Sequence, residues 1–296
     1  MTRREKRNLA LGLAFTGPWI VGFSAFTLYP VVASFYYSLC DYSVLTKPVF
    51  IGLGNYVDLF TDQVYWKSVF NTFYYAFFAL PLGTLAALIL ALLLNSGVKG
   101  QSAYRTIFFL PSVIPMISMS ILWLWIFNPR FGLLNYALSL IGLQGPEWLQ
   151  DPHWTKPAFI LMSIWTVGNA IVIYLAALQD VPIGLYEAAE LDGARWYHKI
   201  RHVTLPIISP AIFFNVIMGF IAVLQIFAIP YVMTFPVPGQ PARSALFYTM
   251  YLYENAFRYL RMGYACAMAV VMFLLILGLT WLFLRVSKKH VHYRGQ

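Results

Sequence analysis

The chain has 296 residues, 60% of them hydrophobic and only 10% charged, with a mean hydropathy of +0.68. That composition excludes a water-soluble fold, whose surface needs far more charge. It also excludes reading the net charge of +9 as nucleic-acid binding, which needs a basic soluble face.

The charges are segregated. No Asp, Glu, Lys or Arg occurs between Arg7 and Asp41, Lys67 and Lys99, Arg105 and Arg130, Lys156 and Asp180, Arg201 and Arg243, or Arg261 and Arg285. Each interval can hold the ~20 apolar residues that cross a bilayer as a helix, and a charge at the centre of such a helix costs roughly 2.5–3.5 kcal/mol. The intervals predict an all-α membrane protein with six transmembrane helices near residues 9–37, 69–95, 106–128, 157–178, 207–234 and 262–284.

In chain order, residues 1–8 form a basic N-terminal segment. The apolar run after them is longer than a signal-peptide core, contains Pro18 and Trp19 and lacks an A-x-A cleavage site, so it reads as the first span. Residues 54–70, "GNYVDLFTDQVYWKSVF", form an aromatic-rich outer segment. Residues 131–146 are charge-free but too short and too interrupted to span, and read as an interfacial or re-entrant turn. Trp19, Trp123 and Trp125 lie near span ends, where tryptophan anchors at the headgroups. Residues 241–257 are a second aromatic-rich outer segment, and 285–296 a basic C-terminal segment. With both ends of the chain inside, 13 of the 20 Lys and Arg fall in inner segments, which predicts cytoplasmic termini. Cys40 and Cys266 have neither metal nor disulfide-framework spacing; Cys266 reads as a small packing residue.

The motifs of several chemistries are missing. There is no G-x-x-x-x-G-K-[ST] phosphate loop and no H-E-x-x-H, and His198 and His202 lack a third ligand and read as loop histidines. No nucleophile–base constellation suggests a catalytic residue. The spans carry no acidic or basic interior residue, which proton- or sodium-driven carriers need. They do carry amides: Asn169, Asn215 and Gln225. Amides bind hydroxyl groups without titrating, so the pattern points to a neutral, hydrogen-bonding cargo and an energy source elsewhere. Concentrating such a cargo ~10⁴-fold costs roughly 5.5 kcal/mol. In "SIWTVGNAIVIY", Trp165 and Asn169 are spaced to share a helical face, and Gly168 would let a ligand approach the backbone. Interhelical hydrogen bonding is the competing role for each amide.

One block concentrates charge: "YEAAELDGARWYHKIRHVTLP", Tyr186 to Pro206. Pro182 suits a helix start, Asp180 complements it, and helix formers follow to Leu191. Asp192-Gly193 punctuates, and a second short helical stretch runs from Ala194 to about His202 before the next span opens at Leu205-Pro206. The residues alone leave two readings: an amphipathic loop on anionic headgroups, or a surface approached closely by another protein at Ala188, Ala189 and Gly193.

Glu187-Ala188-Ala189, Gly193 and Val203-Thr204-Leu205-Pro206 resemble the EAA motif, E-A-A-x3-G-x9-I-x-L-P, with Val203 where isoleucine is usual. That motif marks the membrane subunits of binding-protein-dependent ABC importers. Stretches 52–60, 104–115, 174–194, 224–234 and 251–269 are similar to carbohydrate-importer permeases, the last two to the maltose-type first subunit of the pair. After Thr234 the family often reads glycine-glycine-proline, where this chain has "FPVPGQPARS".

The resemblance implies a type I importer permease fold, in a bacterial or archaeal cytoplasmic membrane, with residues 182–206 as a coupling loop. Glu187, Ala188, Ala189, Asp192, Gly193, Leu205 and Pro206 would then serve a cytoplasmic ATPase. It further implies a homologous second permease, two ATP-binding subunits that hold ATP and magnesium, and an extracytoplasmic sugar-binding protein. No cofactor, catalytic residue or metal ligand is expected in this chain. Trp165, Gly168, Asn169, Asn215 and Gln225 are the candidate pathway residues for a neutral di- or oligosaccharide.

Overall fold

A computed structural model describes residues 2–97 and 99–287. Lys288, Lys289 and Arg294 of the basic C-terminal segment lie outside them. The chain divides into two compact units, the described parts of Met1–Asp62 with Leu252–Leu275, and of Gln63–Tyr251 with Ile276–Gln296. Among the described residues, four helices are long and apolar enough to cross a membrane, and two bent helix pairs raise the number to six. This matches the six charge-free intervals.

In the first unit, α1 (Arg3–Tyr37) begins within the basic segment rather than after it. The Thr2 hydroxyl accepts from Glu5 N–H, and the Glu5 carboxylate accepts from Thr2 N–H, a reciprocal cap. Phe15, Trp19 and Phe26 face outward, as apolar side chains do toward lipid. A two-stranded antiparallel ladder pairs Cys40 with Phe50 and Asp41 with Val49. Helix α2 (Gly54–Thr61) is pinned to this turn by Asn55, whose amide donates to the Ser38 and Cys40 carbonyls at 2.9 and 2.8 Å. The start of α13 (Met262–Ser287) packs on the same turn, with Gly263 N–H donating to the Tyr42 carbonyl at 2.9 Å. Cys40 and Cys266 are both buried.

In the second unit, α3 (Gln63–Asn95) is the central helix and contacts α7 (Pro152–Trp165), α8 (Gly168–Gln179) and α10 (Trp196–Leu224). Ala76, Ala79, Ala87 and Ala91 are among its buried positions, small enough to admit neighbouring backbones. Two cores form along it. One gathers Tyr75, Trp123, Phe127, Trp148, Phe159 and Phe247. The other gathers Ala87, Ala91, Tyr174, Leu178, Val181 and Ile208. Trp123 is therefore a core residue and not a headgroup anchor; Trp125 is exposed.

Three predicted spans are interrupted. The third is α4 (Gln101–Val113) followed by α5 (Met116–Ile126), bent by 101°. Pro115 is the reason: it pushes Ile114 into an extended conformation (φ −69°, ψ 129°) and has no N–H to continue the ladder. The fourth bends by 44° between α7 and α8. The fifth ends at Leu224 and resumes as α11 (Ala228–Met233), where Pro230 could not continue a helix from Ile226. The interval 131–146 holds only a short helix, α6 (Leu133–Leu140), too short to span. The Asn135 amide organises it, donating to the Pro129 and Pro146 carbonyls and accepting from Trp148 Nε1 at 2.7 Å.

The segment after α11, up to the start of the short helix α12 (Tyr248–Tyr253), is clamped to α3. Asn71, with no exposed surface, donates to the Arg243 and Leu246 carbonyls at 2.8 and 2.9 Å, and the Thr72 hydroxyl accepts from Tyr248 N–H at 2.9 Å. Replacing Asn71 by Leu strips two carbonyls of their donors, at about 2–4 kcal/mol together. Limited trypsin digestion of Asn71→Leu in detergent should therefore cut after the exposed Arg243 far faster than in the parent. Equal cleavage rates would show that other contacts hold the loop.

Candidate functional site

The charged block folds as a helix and an elbow. Pro182 caps α9 (Ile183–Leu191) in an extended conformation (φ −61°, ψ 128°), one position earlier than a proline in the first turn. The helix ends in a glycine turn: Gly193 N–H donates to the Glu190 carbonyl and Ala194 N–H to the Ala189 carbonyl, both at 2.9 Å. This is the double bond pattern of a left-handed C-terminal cap. Gly193 supplies the left-handed residue at φ +74°, and a Cβ there would meet open space. The elbow predicted at Asp192-Gly193 is thus present, and Asp192 is its exposed C-cap.

The second half of the block departs from expectation. Instead of a separate short helix before a span opening at Leu205-Pro206, α10 runs from Trp196 to Leu224 without a break. Leu205 and Pro206 lie inside it, and His198 and His202 are helical residues on its first turns, not loop residues. Continuity through Pro206 comes from a π turn at Ile200–Thr204, where Leu205 N–H reaches back five residues to the Ile200 carbonyl. Widening the turn makes room for a proline ring that would otherwise strike the preceding turn.

The structure brings the two halves together. Tyr186, Val203 and Leu205 pack against the core of Ala87, Leu178, Val181 and Ile208. The Tyr186 hydroxyl lies 2.9 Å from the Thr204 hydroxyl, and Lys199 Nζ pairs with Glu190. The opposite face is bare. Glu187 is exposed and has no hydrogen-bond or ion-pair partner among the described residues. Ile183 and Leu191 lie one helical turn to either side of it and are exposed, the latter 91%; Trp196, beyond the elbow, is exposed as well. Glu187 is thus an exposed carboxylate with an exposed apolar side chain one turn away on either side, at Ile183 and Leu191.

The cargo candidates are more scattered. Trp165 closes α7 and Asn169 lies in the first turn of α8, so the 44° bend falls between them and no continuous helical face joins them. Trp165 meets Trp123 edge-on at 5.6 Å. Asn169 is exposed, with no hydrogen-bond partner among the described residues. The close approach at Gly168 is taken by protein: a Cβ there would lie 2.7 Å from the Phe108 carbonyl oxygen and 3.0 Å from Phe109 Cα. Gly168 is a helix-packing residue against α4. The Asn215 amide donates to the Ala211 carbonyl at 3.0 Å, one turn back on its own helix. Gln225 is the exposed C-cap of α10, about 15 Å further along at 1.5 Å per residue.

Sequence reasoning missed Asn71, Tyr186, Glu190, Lys199 and Thr204. Asn71 was visible as an amide in a charge-free interval, the signal used for Asn169. The others gave none, because their importance lies in pairings across the elbow. A cavity of about 420 Å³ was also unforeseen. It lies beside the core of Trp123 and Phe127, with Phe127, Asn128, Gln150, Thr234 and Gln240 in its wall.

Residues 69–291 match the family described as "Binding-protein-dependent transport system inner membrane component". The chain is 39% identical over 295 residues to the probable ABC transporter permease protein YesP of Bacillus subtilis, covering 99% of this chain and 94% of that one. It is 31% identical over 289 residues to the trehalose/maltose transport system permease protein MalF of Thermococcus litoralis, covering 97% of each. Its backbone superimposes with a TM-score of 0.85, at 25% identity over 97% and 96% of the two chains, on a chain from the crystal structure of a bacterial alginate ABC transporter in complex with an alginate pentasaccharide-bound periplasmic protein. Bent spans, an exposed elbow with EAA spacing and these likenesses agree: the chain belongs to the binding-protein-dependent inner membrane component family, among the ABC importer permeases for carbohydrates.

Proposed function

We propose that this permease is one of two membrane subunits of an ATP-driven importer and passes a neutral di- or oligosaccharide inward. It carries no catalysis of its own. Two partner ATPases hold ATP and magnesium, a homologous permease completes the pathway, and an extracytoplasmic binding protein delivers the sugar. In this reading both termini and α9 face the cytoplasm, as the Lys and Arg distribution favours. Glu187, Ala188, Ala189, Asp192 and Gly193 form the docking face, and Leu205 and Pro206 lie where α10 carries the motion on into the spans. ATP-driven closure of the motor displaces α9 and biases the helices between inward- and outward-open states.

The observation that carries this is the bare face of α9: Glu187, unpaired among the described residues, between exposed apolar residues on an element that half-buried Tyr186 packs against the core. Co-purification tests it. The chain should retain its ATPases on an affinity resin, and the Glu187→Lys variant should lose them. Retention of the ATPases by that variant would overturn the docking assignment.

For cargo, broken spans offer binding groups near the bilayer midplane, and Asn169 sits unpartnered beside such a break. We expect Asn169→Ala to raise the cargo concentration needed for half-maximal ATPase stimulation about three- to tenfold, the worth of one or two hydrogen bonds. An unchanged concentration would remove Asn169 from the pathway.

A further inference from the structure

The π turn at Ile200–Thr204 is a structural problem for any lever built on α10. A π turn trades the regular ladder for longer i→i−5 bonds and is a favoured place for a helix to bend. Here it is followed at once by Pro206, which has no N–H to donate. On its other side lies the glycine elbow at Asp192–Ala194. A push on α9 would be lost in these two soft points unless something bridged them.

The structure contains such a bridge at each end of the turn. Ahead of it, Lys199 Nζ pairs with Glu190, with the lysine side chain only 21% exposed. At its far end, Thr204 is buried and its hydroxyl donates to the Lys199 carbonyl at 3.3 Å. That hydroxyl has one proton, so the 2.9 Å contact with Tyr186 is a bond donated by the tyrosine. A single hydroxyl thus joins the first residue before the π turn, its last residue and α9. Burial shelters the bond from exchange with water.

We propose that Tyr186, Glu190, Lys199 and Thr204 are positioning residues that strap α9 across the π turn, so that α9, the turn and the start of α10 move as one rigid lever. The inference rests on the coupling reading and adds to it. Glu187 receives the push, and the strap decides how much of it reaches the spans. Without the strap the motor still docks and still turns over, but the elbow and π turn flex and hydrolysis runs without transport.

The test uses the assembled importer in liposomes, with sugar uptake and ATP hydrolysis measured on the same preparation. Tyr186→Phe combined with Glu190→Gln should assemble normally and hydrolyse ATP, yet move about five- to tenfold less sugar per ATP, the scale of one buried hydrogen bond and one surface ion pair together. Thr204→Val, which keeps the shape and removes the shared hydroxyl, should reproduce most of the loss. Exchanging the charges, Glu190→Lys with Lys199→Glu, should transport better per ATP than either single reversal. An unchanged ratio in the double variant, or a charge exchange no better than its single reversals, overturns the strap. Glu187→Lys in parallel separates the two ideas. If it abolishes uptake while the strap variants keep a normal ratio, the strap fails and the docking reading stands; if it too is normal, both fail.

Discussion

Glu187→Lys is expected to lower sugar uptake by at least about thirtyfold, because reversing a charge at a desolvated contact costs roughly 2–5 kcal/mol. The side chain is exposed and has no partner among the described residues, so the substitution removes no contact seen there. Insertion and thermal stability should match the parent, and the loss should appear only with the motor present. Gly193→Asp sharpens the same point. Its Cβ has open space and costs only the strain of φ +74°, about 1–2 kcal/mol, so lost uptake in a folded protein reports the partner's surface. Uptake within about twofold of the parent for both variants, a difference smaller than 0.5 kcal/mol, would detach the block from energy coupling.

Gly263→Ala should be the most damaging conservative change to the fold of the first unit. A Cβ at this position would lie 2.1 Å from the Cys40 carbonyl oxygen and 3.2 Å from Asn55 Nδ2. Neither can yield freely. The carbonyl belongs to the Cys40–Phe50 ladder and accepts the Asn55 amide at 2.8 Å, and Gly263 N–H is tied to the Tyr42 carbonyl at 2.9 Å. One methyl group therefore drives α13 off the turn and breaks several polar contacts at once, about 3 kcal/mol or more by the overpacking scale. Gly278, on the same helix, supplies the control, since nothing lies within 4 Å of its Cβ position. In detergent, Gly263→Ala should melt some 5–10 °C below the parent, and Gly278→Ala should melt at or above it. A melting point for Gly263→Ala within about 1 °C of the parent would mean that the turn can be displaced without cost.

These two predictions draw on different kinds of information. Glu187 and Gly193 were legible in the sequence because the EAA spacing is a local pattern of residues spanning only two turns of helix and an elbow. Nothing local marks Gly263. It matters because the Cys40 carbonyl, more than two hundred residues earlier, is its neighbour. Gly168 makes the same point in reverse: beside Asn169 it looked like room for a ligand, and the Phe108 backbone occupies that room.

The sequence by itself determined which segments are apolar enough to cross a membrane and which block carries the EAA spacing. Each of those properties is settled within a short window, by the cost of a desolvated charge or by helical spacing around a glycine. Only the tertiary structure decided where the spans break, which glycines are packing positions, that Asn71 holds the carbonyls at Arg243 and Leu246, and that Tyr186 meets Thr204 across the elbow. Those outcomes depend on pairs of groups far apart along the chain. A buried donor takes whichever acceptor folding brings within about 3 Å, and no window of sequence contains both partners.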